Sequence, residues 1–163
     1  MLIRQVRKDD LAEVVRIEQE NFSEAEAASP EAMQERIAHI PDTFLIAELD
    51  GRLAGYIEGP VIKQRYLTDD LFQQVLPNPK KSGFIAVTSL SVDHEFKKQG
   101  IGTMLVGTLK DLAVAQKRQG ITLTCHDYLI GYYEMNGFIN EGLSASAHGG
   151  ATWYNMVWEN PEF

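Results

Sequence analysis

The stretch from Ser89 to Leu105, SLSVDHEFKKQGIGTML, constrains this chain more than any other: a hydrophobic strand passes through a polar loop into two glycines that open a helix. The first turn of a helix carries backbone N–H groups without intrahelical partners and the positive end of the dipole, and glycine lets an anion approach them closely. Lys97 and Lys98 add positive charge there, in a chain whose formal net charge is −8. Two plainer readings compete. Gly100-Ile101-Gly102 could begin a dinucleotide GxGxxG, but position 105 is Leu and the seven residues Asp93 to Gln99 make the turn too long for that fingerprint. The segment could also be an ordinary loop and helix start with surface lysines.

The elements around it follow from pattern. Leu2 to Val6 alternates apolar with polar as a short strand, and Asp9 or Asp10 can cap a helix carrying Leu11, Val14, Val15 and Ile17 on one side. Ser29 before Pro30 predicts a second helix to about Ile40, stopped by Pro41. Asp50-Gly51 between Thr43–Leu49 and Arg52–Gly59 predicts a tight hairpin. Residues 60–83 form a long connection with one short helix in YLTDDLFQQVL. Phe84 to Val92 is the next strand, Gly100 to Gln119 a helix ended by Gly120, Ile121 to Cys125 a buried strand, Leu129 to Asn136 a short helix ended by Gly137, and Phe138–Leu143 and Thr152–Trp158 the last strands. The expected class is α/β (α+β): one domain over residues 1–163, a mixed, mostly antiparallel central sheet with helices on both faces.

Composition narrows the function. A chain of 163 residues suits one core, burying roughly 70% of its unfolded surface. The acidic balance argues against nucleic acid, whose backbone is gripped by clustered Lys and Arg. Residues 17–35 hold Glu18, Glu20, Glu24, Glu26, Glu31 and Glu35 and no Lys or Arg, which reads as the solvated face of a helix pair or as a lure for a cationic amine. Cys125 is the only cysteine, so no intrachain disulfide is expected and no metal site. The charged start MLIRQVRKDD lacks a signal-peptide core and no apolar run nears the 18 or so residues needed to span a bilayer, so a cytoplasmic protein with no membrane partner is expected.

Lys97-Lys98-Gln99-Gly100-Ile101-Gly102 resembles the Arg/Gln-x-x-Gly-x-Gly/Ala signature of the GNAT acetyltransferase superfamily, and the likeness extends through Leu90-Ser91-Val92 before it and CHDYLIGYYEMNGF, Cys125 to Phe138, after it. In detail the latter is similar to the arylalkylamine (serotonin) N-acetyltransferase type. The resemblance implies a GNAT fold with acetyl-CoA as co-substrate. The backbone of Leu90, Ser91 and Val92 would pair with the pantetheine arm, and Lys97, Lys98, Gln99, Gly100, Ile101, Gly102 and Thr103 would hold the pyrophosphate. Lys97 departs from the signature's Arg or Gln: it keeps the charge without the bidentate fork of Arg.

Transfer to a primary amine needs that amine deprotonated, which costs roughly 4 to 5 kcal/mol at pH 7 for a pKa near 10.4. The departing thiolate gains from a proton donor. By the resemblance Tyr133, in Tyr-x-x-x-Gly-Phe, is that donor, while Tyr132, about 100° round the helix, is packing. Ala86 and Thr88 occupy the positions where the arylalkylamine type carries a histidine pair, so the base falls to His126, with Glu58, Asp127, His148 or a water-mediated route as other candidates. Cys125 on an apolar strand reads as packing and His94 as a loop residue. Phe22, Tyr56, Tyr66 and Phe72 lie in segments that wall the amine site in the superfamily. The expected activity is direct acetyl transfer to a small-molecule amine such as an arylalkylamine or polyamine. The alternatives are a CoA-binding sensor domain without turnover and an acetyltransferase of protein N-termini. A homodimer is left open.

Overall fold

The computed structural model describes all 163 residues. Strand β1 (Leu2–Gln5) leads through a 3-10 turn into α1 (Leu11–Asn21), and α2 (Pro30–His39) follows. Ser29 caps α2 as expected, its hydroxyl accepting from Ala32 N–H. Strands β2 (Phe44–Leu49) and β3 (Arg52–Glu58) close over Asp50 and Gly51, both at positive φ (52° and 76°), the geometry of a two-residue hairpin turn. Next come β4 (Val61–Ile62), a 3-10 turn at Asp69–Phe72, β5 (Phe84–Val87), β6 (Ser89–Val92), α3 (Ile101–Ala115), β7 (Gly120–Cys125), α4 (Ile130–Met135), β8 (Ile139–Leu143) and β9 (Tyr154–Glu159).

The expected single strand Phe84–Val92 is two strands in two sheets. One sheet runs β1-β2-β3-β6 and the other β4-β5-β7-β9-β8; only β5 and β7 are parallel. The break falls at Thr88, whose N–H and hydroxyl both bond Glu58. Across from it the neighbouring strand bends at Gly59-Pro60. A Cβ on Gly59 would lie 1.8 Å from the carbonyl oxygen of Ala86, so no other residue permits this approach. Beyond the Val87–Leu123 pair the strands part, β6 going with one sheet and the end of β7 with the other.

Helices cover both faces, as β2 shows by alternation. Leu45 and Ala47 join Leu105, Leu109 and Ala113 of α3 in one core; Phe44 and Ile46 join Val14, Ile17, Met33 and Ile37 of α1 and α2 in another. Two further expectations need correcting. Helix α3 ends at Ala115, because Lys117 turns left-handed (φ 57°) and its N–H bonds Val114 O while Arg118 N–H bonds Ala113 O, a Schellman stop without glycine. Gly120 instead begins β7, where a Cβ would meet Trp158 O at 2.1 Å. The short helix expected in residues 66–76 is a single 3-10 turn, whose Asp69 accepts from Ser146 and Ala147 of the β8–β9 connection.

Candidate active site

The parting of β6 from β7 opens a cavity of about 740 Å³. Leu90, Ser91 and Val92 line one wall and Leu123, Thr124, Cys125 and His126 the other. In the antiparallel β3–β6 pair Asp93 N–H bonds Ala54 O. By alternation, the N–H and C=O of Leu90 and Val92 therefore face away from β3, toward the parting. Val92 O there accepts from the Asn21 side chain at 2.9 Å.

The start of α3 forms one end of the cavity. Gly100 stands left-handed at φ 78°, no side chain caps the helix, and the first N–H to find an intrahelical acceptor is that of Met104. The N–H groups of Ile101, Gly102 and Thr103 are thus left as donors at the positive end of a 15-residue helix. Lys98, also left-handed at φ 64°, and Lys97 flank them. Such an uncapped mouth fits a phosphate group. Lys97, Lys98, Gly100, Ile101, Gly102 and Thr103 all border the cavity; Gln99 does not and is exposed.

Tyr132 and Tyr133 come in from α4. Tyr133 packs against Phe138 in the main core, and burial pushes its hydroxyl pKa well above the ordinary tyrosine value, so it stays protonated. Tyr132, expected only to pack, also borders the cavity, with its hydroxyl 3.4 Å from Thr103 Oγ1.

On the β7 wall His126 is stacked on Tyr128 (ring centroids 5.2 Å apart) and on Trp153 (4.3 Å), and its Nε2 lies 3.0 Å from Glu26 Oε1. His148 stacks on Phe72 (3.9 Å), and its Nε2 bonds Glu26 O. Phe22 and Phe72 line the wall; Tyr56 and Tyr66 do not. The Tyr56 hydroxyl instead donates to Glu18 at 2.6 Å, and exposed Tyr66 donates to Glu141. Glu58 is withdrawn from the wall, fully buried and paired with Arg36 at 2.8 Å, and burial raises its pKa. Asp127 is exposed and outside the cavity, as His94 is, so the contact on His126 comes from Glu26. Cys125 borders the cavity as a poor nucleophile, its thiol pushed up to about 11 first by burial and then by Asp127.

The acidic run divides. Glu20, Glu24, Glu31 and Glu35 are exposed, while Glu18 and Glu26 turn to the cavity. Glu18 is buried, accepting from Tyr56, Ser89 and the Ala28 N–H, all neutral donors. Its place on the helix was legible only as a carboxylate one step from the apolar Val14–Ile17 stripe. Glu26 was legible only as a member of the acidic run and Trp153 not at all, because loops carry both to His126.

A model described as the acetyltransferase (GNAT) family matches residues 11–138. Among solved structures the chain is similar to Ard1 from Thermoplasma volcanium (19% identity, TM-score 0.74, covering 97% of this chain and 96% of that one). It is similar also to the GphF GNAT-like decarboxylase in complex with isobutyryl-CoA (13%, TM-score 0.81, 98% and 100%). A third likeness is to the ribosomal-protein-S18-alanine N-acetyltransferase from Escherichia coli (17%, TM-score 0.70, 97% and 92%). At these identities the structural likenesses establish the fold alone. The family match takes in the parted strands, the helix mouth and Tyr133 together, and on that ground the chain belongs to the GNAT family of acetyltransferases.

Proposed function

We propose that this N-acetyltransferase transfers acetyl from acetyl-CoA directly to the primary amine of a small molecule, an arylalkylamine or polyamine. One observation carries the reading: a single cavity is lined by the uncapped mouth of α3, by Tyr133 and by His126 with the carboxylates Glu18 and Glu26. The N–H groups of Ile101, Gly102 and Thr103, with Lys97 and Lys98, hold the coenzyme's diphosphate, and the edge of Leu90 and Val92 that faces away from β3 receives the pantetheine arm. Acetyl-CoA supplies an acyl carbon already activated as a thioester.

The chain's part is proton handling and placement. The ammonium form of the acceptor first gives one proton to His126, whose Nδ1 is the ring nitrogen not engaged by Glu26. The neutral amine then attacks the thioester carbon; the C–N bond forms, the C–S bond breaks and the leaving sulfur takes the hydroxyl proton of Tyr133. The second nitrogen proton, acidic once the C–N bond has formed, restores the Tyr133 hydroxyl. No bond forms to the enzyme. Glu18 and Glu26, bound by no Lys or Arg, favour a cationic acceptor, and the rings of Phe22, Phe72 and Trp153 favour one with an apolar or aromatic body.

A thiol-release assay with acetyl-CoA and arylalkylamines, polyamines, amino acids, aminoglycosides and short peptides with free N-termini tests this. Turnover on a small amine supports the reading. Turnover on peptides alone transfers the activity to protein N-termini, and calorimetric binding of acetyl-CoA without turnover on any acceptor leaves a sensor domain.

A further inference from the structure

Three connections that run far apart in sequence meet at Glu26. Its carboxylate faces His126, its carbonyl oxygen accepts from His148 Nε2 at 3.0 Å, and a Cβ on Gly149 would stand 2.6 Å from its Cγ. His148 is itself fixed, stacked on Phe72, with its carbonyl taken by Trp153 Nε1 at 2.8 Å. The loop before it is tied to the β4–β5 connection through Asp69, which accepts from Ser146 Oγ and Ala147 N–H. Glu26 therefore sits in a built seat, held at its main chain and against its side chain, rather than on a free loop.

We propose that Glu26 is a positioning residue that forms a carboxylate–imidazole dyad with His126. With Nε2–H donating to Glu26 Oε1, the ring is locked in the tautomer that leaves the Nδ1 lone pair to accept the amine proton, and the carboxylate stabilises the imidazolium once formed. Buried Trp153, stacked on the ring at 4.3 Å between centroids, helps to hold its plane. The other ionisable groups packed round the ring are Tyr128 and Asp127 on its own turn, Cys125 on β7 and His148 beyond Trp153; none of them bonds His126, so Glu26 is its one anionic partner at contact. The inference rests on the acetyl-transfer reading above, in which His126 is the base.

The test is Glu26→Gln, which keeps shape and hydrogen-bonding length while removing charge, with Glu26→Asp as the charge-retaining control. Two readouts are taken on the full chain. Turnover with acetyl-CoA is expected to fall about tenfold or more in Glu26→Gln, with Glu26→Asp recovering it in part. Independently of turnover, 15N NMR of the His126 ring is expected to show the Nε2–H tautomer in the wild type and a mixture of tautomers in Glu26→Gln. An unchanged His126 tautomer overturns the dyad, even if kcat drops, because a merely structural role would lower the rate without moving it. If the wild-type protein turns over no amine, the acetyl-transfer reading fails by itself and the positioning role falls with it; the ring tautomer then reports only whether the pair exists.

Discussion

Gly102 lies directly beneath the hydroxyl of Tyr132: a Cβ at position 102 would stand 2.8 Å from Tyr132 Oη. The absence of a side chain there serves the mouth of α3 rather than the helix. Gly102 is the second residue of α3 and has no positive φ, so the helix itself does not require glycine there. Gly102→Ala is therefore expected to leave Tm unchanged or slightly raised, since the clash falls on the far end of a side chain that can swing. That swing displaces Tyr132 across the cavity mouth and is expected to weaken acetyl-CoA by about tenfold in calorimetry. A fall of several degrees in Tm with unaltered coenzyme affinity would show the glycine to be structural.

Tyr133 offers a cleaner separation of chemistry from packing. Its ring is core, in contact with Phe138, but nothing in the protein hydrogen-bonds its hydroxyl, so Tyr133→Phe keeps the packing and costs little stability. Loss of the proton donor is expected to lower kcat by about a hundredfold with little change in KM. Burial holds the hydroxyl pKa above the ordinary range, so no basic limb from Tyr133 is expected below about pH 10 in the wild-type profile. A kcat within twofold of wild type in Tyr133→Phe removes the donor role.

Local signals were legible where one residue type has one use. Ser29-Pro30 set the start of α2, Asp50-Gly51 set the hairpin, and Gly100 with Gly102 marked the helix mouth. The parting at Thr88 was not legible, because a bend leaves the alternation of apolar residues unbroken while handing the chain from one sheet to another. The end of α3 was hidden because Lys117 adopts a backbone that usually advertises itself through glycine. The contact of Glu26 with His126 spans 100 residues and depends on Gly149, Phe72 and Trp153 arriving from other loops. Only packing brings such a pair together, so pattern along the chain had no means to announce it.

Arg65 closes the far edge of the second sheet and makes stability depend on pH. Its Nε and Nη2 donate to the two oxygens of Glu141, each at 2.7 Å, and Tyr66 donates to the same carboxylate. The Arg65 hydrogen bond is the main reason that Glu141 is held down to about 2. A carboxylate with a depressed folded pKa contributes stability above its unfolded value, near 4.5, and loses it as pH falls toward 2. Urea unfolding between pH 6 and pH 2 is thus expected to show stability falling through that window. Arg65→Gln should begin lower at pH 6 and fall less steeply. Parallel curves for the two proteins would mean that Glu141 is not the group being titrated.

Beneath the acceptor end lies an ion pair that water does not reach. Arg36 Nη1 meets Glu58 Oε1 at 2.8 Å, with Arg36 1% and Glu58 0% exposed, while Nη2 holds the carbonyl of Phe72 at 2.7 Å. Glu58 Oε2 has no partner, and burial raises the pKa of this carboxyl even with Arg36 beside it. Removing only the cation strands a buried acid, so Arg36→Met is expected to cost about 3–5 kcal/mol in urea unfolding at pH 7. Replacing both, in Arg36→Met with Glu58→Leu, should recover most of that loss, because two buried charges repay their desolvation poorly. Activity should not recover with it. Phe72 carries the ring on which His148 stacks, and without the guanidinium its carbonyl loses its tether, so the double variant is expected to be stable but to bind the acceptor more weakly, seen as a raised KM for the amine. If KM returns with stability, the pair serves the fold alone and the Arg36–Phe72 tether has no part in shaping the acceptor end.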